Sequence, residues 1–279
     1  DCHALCADLN QAKEEFIVRF NLCRTILEEG LELGKEDYEL AIRFTRDFYE
    51  ENRDFILSMA KLIDKPVLIE MWEERFFYFI LKWEFNFVDN LDKASALSTD
   101  QIDIENAERY GMTYVDEKGE RRHPLVLHCS PSGAVERCVY ALLEKAYREQ
   151  QRGGVPILPL WLAPTQVRVI PVSDRFMKEA EKIADEIGKH SIRVDLDDRP
   201  VTMRKKVREA EMDWVNYVLV IGEREVTSGI LPVRDRKARE IRKMRLQELV
   251  NEMEGKTKDK PFKPLTLPKL LSKRPQFFG

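Results

Sequence analysis

HPLVLHCSPSGAVERCVYALLE, residues 123–144, holds a full change of backbone geometry within one short stretch. Pro124–Cys129 is apolar apart from His128 and reads as a buried strand. Ser130-Pro131-Ser132-Gly133 breaks it. A helix then opens at Gly133 or Ala134, with Val135, Cys138, Val139, Leu142, Leu143 and Ala146 expected on its inner face. Strand, break and helix in that order fix the character of the first half of the chain.

Upstream, FYFILKWEFNFV (77–88) is aromatic and partly alternating, and DQIDI (100–104) is a second strand candidate. A charged turn centred on Gly119 lies between Tyr114 and His123. Apolar residues from Leu9 to Leu27, spaced by three and four, predict a helix ended by Gly30 and Gly34. Ala41, Phe44, Phe48, Phe55, Met59 and Leu62 predict another, closed by Pro66. The first half therefore reads as α+β, antiparallel strands with helices packed around them.

Downstream, QQRGGVPILPLWLAP (150–164) carries two glycines and three prolines, and marks a boundary. Beyond it, strands at 167–172, 191–196, 217–222 and 229–233 alternate with helices after Ser173, at 202–212 and at 244–254. That alternation predicts a small α/β domain with a mostly parallel sheet. The expected organisation is residues 1–150, a linker 151–164, and residues 165–279.

With 43% hydrophobic and 34% charged residues in 279, the chain is globular and not disordered. No apolar run reaches the roughly 20 residues needed to span a bilayer, and the charge-studded helix near the start is unlike a signal peptide. No membrane association is expected. Five scattered cysteines suit free thiols in a reducing cytoplasm. Net charge is −4, yet residues 231–279 hold 14 Lys and Arg against 6 Asp and Glu. Such a basic end on an acidic body fits either a phosphate-meeting surface or a solvated tail.

Several residues could carry chemistry. His128, before the Ser-Pro-Ser-Gly break, could bind metal, assist an anion, or be a satisfied core histidine. His3 beside Cys2 and Cys6 is equally open. Arg137 in the first turns of a helix suits a phosphate clamp or an exposed surface. Lys82 in the aromatic strand either snorkels or points into a site. There is no glycine-rich phosphate loop and no nucleophile elbow.

Residues 123–144 resemble the third signature motif of class II aminoacyl-tRNA synthetases in its threonyl form. STDQIDIENAERYGMTYVD (98–116) resembles the strand before it, and DCHALC (1–6) the stretch after the second motif, with its Asp-x-His. WLAPTQVRVIPVSD (161–174) is similar to the entry of the anticodon-binding domain shared by threonyl, prolyl, histidyl and glycyl enzymes. The wording of 66–105 resembles archaeal forms. The resemblance covers essentially the whole chain and implies the C-terminal half of an archaeal-type threonyl-tRNA synthetase: the end of a class II antiparallel-sheet catalytic domain, then an anticodon-binding domain.

That resemblance implies roles. His3 and His128 would be two protein ligands of a catalytic Zn2+ that holds the amino group and hydroxyl of threonine. A site that coordinates the hydroxyl can reject valine where shape alone cannot. Asp1 would accept a hydrogen bond from that hydroxyl. Lys82, Thr99 and Gln101 would line the threonine and adenylate pocket, and Arg137 would grip ATP, which comes with Mg2+. Arg234 and Arg236, in VRDR, would read anticodon bases of tRNA-Thr. The parent protein would be a homodimer. Three positions depart from the family: Phe79 for a tyrosine, Cys129 for a bacterial arginine, and Thr227 for an acidic residue. The first two class II motifs and the third zinc ligand lie outside the chain, so it alone is expected to be incomplete for catalysis. A non-catalytic RNA-binding module is the alternative function. A prolyl or histidyl relative is a further one, opposed by the paired histidines.

Overall fold

The computed structural model describes residues 1–275, so the last four residues of the expected 165–279 domain lie outside it. The chain divides into two compact units, Asp1–Arg148 and Glu149–Gly279.

Unit 1 is built on β1 (Cys2–Cys6), α1 (Leu9–Thr25), β2 (Tyr38–Thr45), α2 (Arg46–Ile63), β3 (Val67–Trp72), β4 (Phe79–Val88) and β5 (Ala94–Asp103). The short α3 (Asn106–Arg109), β6 (Tyr114–Val115) and β7 (Arg121–Arg122) lead to β8 (Leu125–Ser130) and α4 (Val135–Gln151). The main sheet has six strands in the order β1-β8-β5-β4-β2-β3. Every pairing is antiparallel except β2 with β3. α1 starts on Asp8, whose carboxylate caps the amide of Gln11. Its buried residues Ala12, Phe16, Phe20 and Cys23 fall at spacings of three and four. Phe16 and Phe20 meet Trp83 of β4 edge to face, at ring-centroid distances of 6.1 and 5.1 Å. Each such ring, removed from water, contributes about 1.5–3 kcal/mol.

Two expectations for unit 1 change. Ala41 and Phe44 lie on a strand, not a helix. β2 alternates, with Tyr38, Leu40, Ile42 and Phe44 buried on one face and Glu39 exposed and Arg43 half-buried on the other, but buried Ala41 on that second face gives the spacing of three to Phe44 that mimics a helical one. The helix begins only at Arg46, capped by Thr45. On α4, Cys138, Ala141, Leu142 and Ala146 are buried, whereas Val135, Val139 and Leu143 are exposed. The apolar arc of α4 is wider than the face the unit covers. Gly133, at the strand-to-helix break, has φ +78°, and a Cβ there would stand 2.4 Å from the carbonyl oxygen of Leu97. Only glycine fits that turn.

Unit 2 comprises β9 (Val167–Pro171), α5 (Met177–Gly188), β10 (Val194–Leu196), α6 (Met203–Met212), β11 (Tyr217–Ile221), α7 (Glu223–Ser228), β12 (Ile230–Asp235), β13 (Glu240–Arg245) and α8 (Leu246–Thr257). Its sheet order is β10-β9-β11-β12-β13. β10, β9 and β11 run parallel, and β12 and β13 add an antiparallel hairpin. The larger core gathers Val167, Val169, Ala184, Ile187, Leu219 and Leu249. A smaller one, Ile170, Ala210, Val215 and Val218, lies beneath α6. Ser173 makes no capping bond, because the chain first passes through a 3-10 turn, Asp174–Phe176, before α5.

Candidate functional site

Strand register places one polar residue from each of the six strands of the main sheet of unit 1 side by side. His3 of β1 faces His128 of β8, His128 faces Gln101 of β5, and Gln101 faces Lys82 of β4. Lys82 faces Arg43 of β2, and Arg43 faces Glu70 of β3. Directly opposed residues project to the same side of a sheet, so the six form a continuous row across one face. The opposite face carries Cys129, Asp100, Trp83 and Ile42, one residue along each of the same strands, and is shut against the core.

The row is linked by contacts. The His3 and His128 rings meet edge to face with centroids 4.9 Å apart. His128 Nε2 lies 2.8 Å from Oδ2 of the buried Asp103. Burial opposes the charge on Asp103, but the amides of Asn106 and Glu105, with His128, outweigh it and hold the carboxyl below its ordinary value. An ionised Asp103 accepts the His128 Nε2 proton and leaves Nδ1 with its lone pair. Burial and then His128 keep His3 below the usual imidazole value, which favours its neutral form. Farther along, Lys82 Nζ is 3.0 Å from Glu84, and Arg43 is 3.2 Å from the same carboxylate. Arg43 also bonds Glu70 at 2.5 Å. The histidine end therefore sets two imidazoles edge to face, and the other end offers two cations shared over two carboxylates.

Other residues expected in the site are distributed around this row. Thr99 lies two residues from Gln101 on β5, opposite Glu84 and Ser130, and so shares its face. Asp1 is exposed, just ahead of β1. Arg137, on α4, is exposed and donates from Nη1 to the carbonyl of Ala96. Residue chemistry alone overlooks Tyr78. Its hydroxyl donates to Gln101 Oε1, and its ring lies 5.7 Å from that of His128. Phe79 is 5% exposed, covered by the rings of Trp72 and Phe77 at centroid distances of 6.1 and 5.1 Å, and a register irregularity follows between Phe79 and Leu81. The aromatic hydroxyl thus reaches the polar face from one position earlier than the family tyrosine.

The two histidines suit a zinc ion as two neutral nitrogen ligands. Among the described residues no group of three His, Cys, Asp or Glu side chains is placed to hold a metal, so these donors alone do not complete a site. All five cysteines are free.

In unit 2, Arg234 and Arg236 line one pocket together with Val155, Arg208, Glu211 and Arg239. Asp235 is also there, but Arg242 neutralises it at 2.9 Å. The pocket is therefore strongly cationic. Its two expected readers differ. Arg234 is 41% exposed and, among the described residues, meets the Glu211 carboxylate alone, at 3.4 Å. Arg236 donates from Nε to the Pro156 carbonyl at 2.8 Å and from Nη1 to the Glu211 carbonyl at 2.7 Å. Burial holds it below the ordinary guanidinium value.

A family model described as an anticodon binding domain matches residues 166–256. Threonine–tRNA ligase of Pyrococcus horikoshii is 56% identical over 279 residues, 100% of this chain and 44% of that protein. The chain belongs with the threonine–tRNA ligases. Those of Pyrococcus furiosus and Nitrosopumilus maritimus are 54% and 52% identical, over 100% and 99% of this chain and 44% of each ligase. The chain thus spans less than half the length of these ligase relatives. Two solved structures share the fold. The RNA binding domain of threonyl-tRNA synthetase from Cryptosporidium parvum aligns over 94% of this chain and 63% of its own, with TM-score 0.73 and 22% identity. The putative threonyl-tRNA synthetase ThrRS-1 of Aeropyrum pernix aligns over 94% and 64%, with TM-score 0.67 and 20% identity. Among the described residues no helix is long and apolar enough to cross a membrane.

Proposed function

We propose that this chain is part of a threonine–tRNA ligase, in which unit 1 lines the pocket for threonine and its adenylate and unit 2 receives the anticodon. The carrying observation is the row His3, His128, Gln101 and Lys82, set side by side by four strands. His3 and His128 would contribute two nitrogen ligands to a Zn2+ completed from outside this chain, which would supply Lewis acidity toward a substrate amine and hydroxyl. Asp103 fixes the His128 tautomer so that the nitrogen turned away from it can bind. Gln101, oriented by Tyr78, offers its amide N–H groups to the substrate. Lys82 sets positive charge beside the adenylate phosphate, and Thr99 adds a hydroxyl on the same face. Arg137 and Asp1 flank the row as the phosphate clamp and the hydroxyl acceptor. In unit 2, Arg234 is the side chain best placed to meet a base edge or phosphate.

The test is threonine-dependent ATP–pyrophosphate exchange in the full-length protein that carries this sequence. His128→Ala is expected to lower exchange at least about a hundredfold, roughly 2.7 kcal/mol of transition-state stabilisation. Asp103→Asn should follow with a smaller loss. Unchanged exchange in His128→Ala, or exchange driven equally by another amino acid, overturns the reading.

A further inference from the structure

The Gly- and Pro-rich stretch after unit 1 carries no regular secondary structure, yet its carbonyls are taken up one after another by side chains of unit 2. Arg239 donates to the carbonyl of Gly153 at 2.9 Å, and Arg236 to that of Pro156 at 2.8 Å. Asn216 reaches Leu158 at 3.4 Å, and Gln166 reaches Leu160 at 2.9 Å. Arg193 closes the series, bonding Trp161 at 2.6 Å and Ala163 at 2.8 Å. Four of these donors flank the strands at one sheet edge. Arg236 follows β12, Asn216 precedes β11, Gln166 precedes β9, and Arg193 precedes β10. Residues 153–163 therefore cross the end of the sheet strand by strand, in the spatial order β12, β11, β9, β10. Prolines 156, 159 and 164 have no N–H to join a ladder, so the backbone needs donors of another kind.

This strap ends at the cationic pocket. Val155 is part of the pocket wall, and the guanidinium of Arg236 is both pocket wall and strap anchor. We propose that the strap is a positioning element for RNA recognition: its docking along the sheet edge orients Arg236 and the pocket, so strap order and anticodon binding are thermodynamically coupled. Arg193 is then a positioning residue, acting through the strap from the β10 end of the sheet. It is absent from the pocket lining, and its guanidinium is committed to strap carbonyls and to the carbonyl of Lys263. Linkage is reciprocal: whatever loosens the strap must weaken the ligand, and the ligand must hold the strap down.

The inference rests on the RNA reading of unit 2, and one experiment separates the two. The 279-residue chain is titrated with an RNA hairpin bearing a threonine anticodon loop, and with the same hairpin changed at the central anticodon base. Hydrogen exchange is followed at residues 153–163. The normal hairpin is expected to slow strap exchange several-fold. Arg193→Lys, which keeps the charge but loses the fork that spans two carbonyls, should speed strap exchange, weaken hairpin binding about tenfold and narrow the discrimination between the two loops. Gln166→Glu, which turns the donor to Leu160 into an acceptor, should act alike and serves if Arg193→Lys does not fold. Binding that is unchanged within twofold while the strap is loosened overturns the coupling and leaves the RNA reading standing. Absence of hairpin binding by the unaltered chain overturns both.

Discussion

Asp100 in unit 1 and Asp195 in unit 2 are both wholly shut off from solvent, and their surroundings could hardly differ more. Asp195 receives Nε and Nη2 of the buried Arg168 at 2.9 and 3.0 Å, the hydroxyl of Thr165 at 3.0 Å, and lies 2.9 Å from Arg274. Among the described residues Asp100 receives a single amide, that of Gln101, on Oδ1, and Oδ2 has no hydrogen-bond partner. Burial pushes its carboxyl up to about 7, against a smaller opposing pull from Arg19 and the Gln101 amide. One unit keeps a buried charge by completing its partners; the other keeps a buried carboxyl by letting it stay protonated. Asp195 belongs to a strand whose preceding residue, Arg193, anchors the strap, so rigid pairing there serves the edge of the sheet. Asp100 lies directly behind the polar row, on the strand that carries Thr99 and Gln101.

Four substitutions can break or sharpen that contrast. The largest effect is expected for Arg168→Ala, which strands Asp195 without its fork and frees Asp213, bonded at 2.8 Å. The loss should be about 3–5 kcal/mol in urea unfolding of unit 2. A cost below about 1 kcal/mol would mean that Thr165 and Arg274 suffice. Next comes Asp100→Asn, read through pH. The folded value is about 7 and the unfolded one lies near the ordinary carboxylate value of about 3.9. Between these, native Asp100 retains a proton that the unfolded chain has released, so its contribution to stability falls as pH rises through that window and is level above it. The asparagine variant lacks this fall and should gain on the parent by roughly 4 kcal/mol between pH 4 and 8. Parallel pH profiles for the two proteins would show that Asp100 is charged in the native state. The smallest effect is that of Tyr78→Phe, which removes one hydroxyl from Gln101 and should cost about 1 kcal/mol. Phe79→Tyr should not restore it, because that ring is packed against Trp72 and Phe77; restoration would mean that a hydroxyl at position 79 also reaches Gln101.

Much of this was legible from residues. The strand, break and helix of 123–144 announce themselves through an apolar run, a Ser-Pro-Ser-Gly interruption and a new period. The alternation beyond residue 165 is equally plain. The row of unit 1 was only half legible: resemblance points to His3, His128, Gln101 and Lys82, but Arg43, Glu70 and Tyr78 join them through register, which no local pattern records. β2 hid because Ala41 and Phe44, three apart, run on at helical spacing into Phe48 of α2. The edge strand β13 hid because EIRKMR alternates weakly and carries charge, as edge strands do. The stretch 151–164 was read as a linker because glycine and proline signal the lack of regular structure. They do not signal a lack of order, and here the donors come from residues far away in sequence. The same distance explains Arg236, which reads as a base contact from its motif but spends two of its donors on backbone carbonyls.

The pairing of β1 with β8 has a kinetic consequence. Among the described residues β1 pairs with β8, the last strand of the main sheet in chain order. His3 and His128 therefore meet through the most distant strand pairing in the unit, and such contacts pay the largest loop-closure entropy before any reward. Within this chain the contact between His3 and His128 should be among the last to form during refolding. A growing chain carries no donor pair until β8 has been synthesised, so ligand capture must wait for the sheet to close.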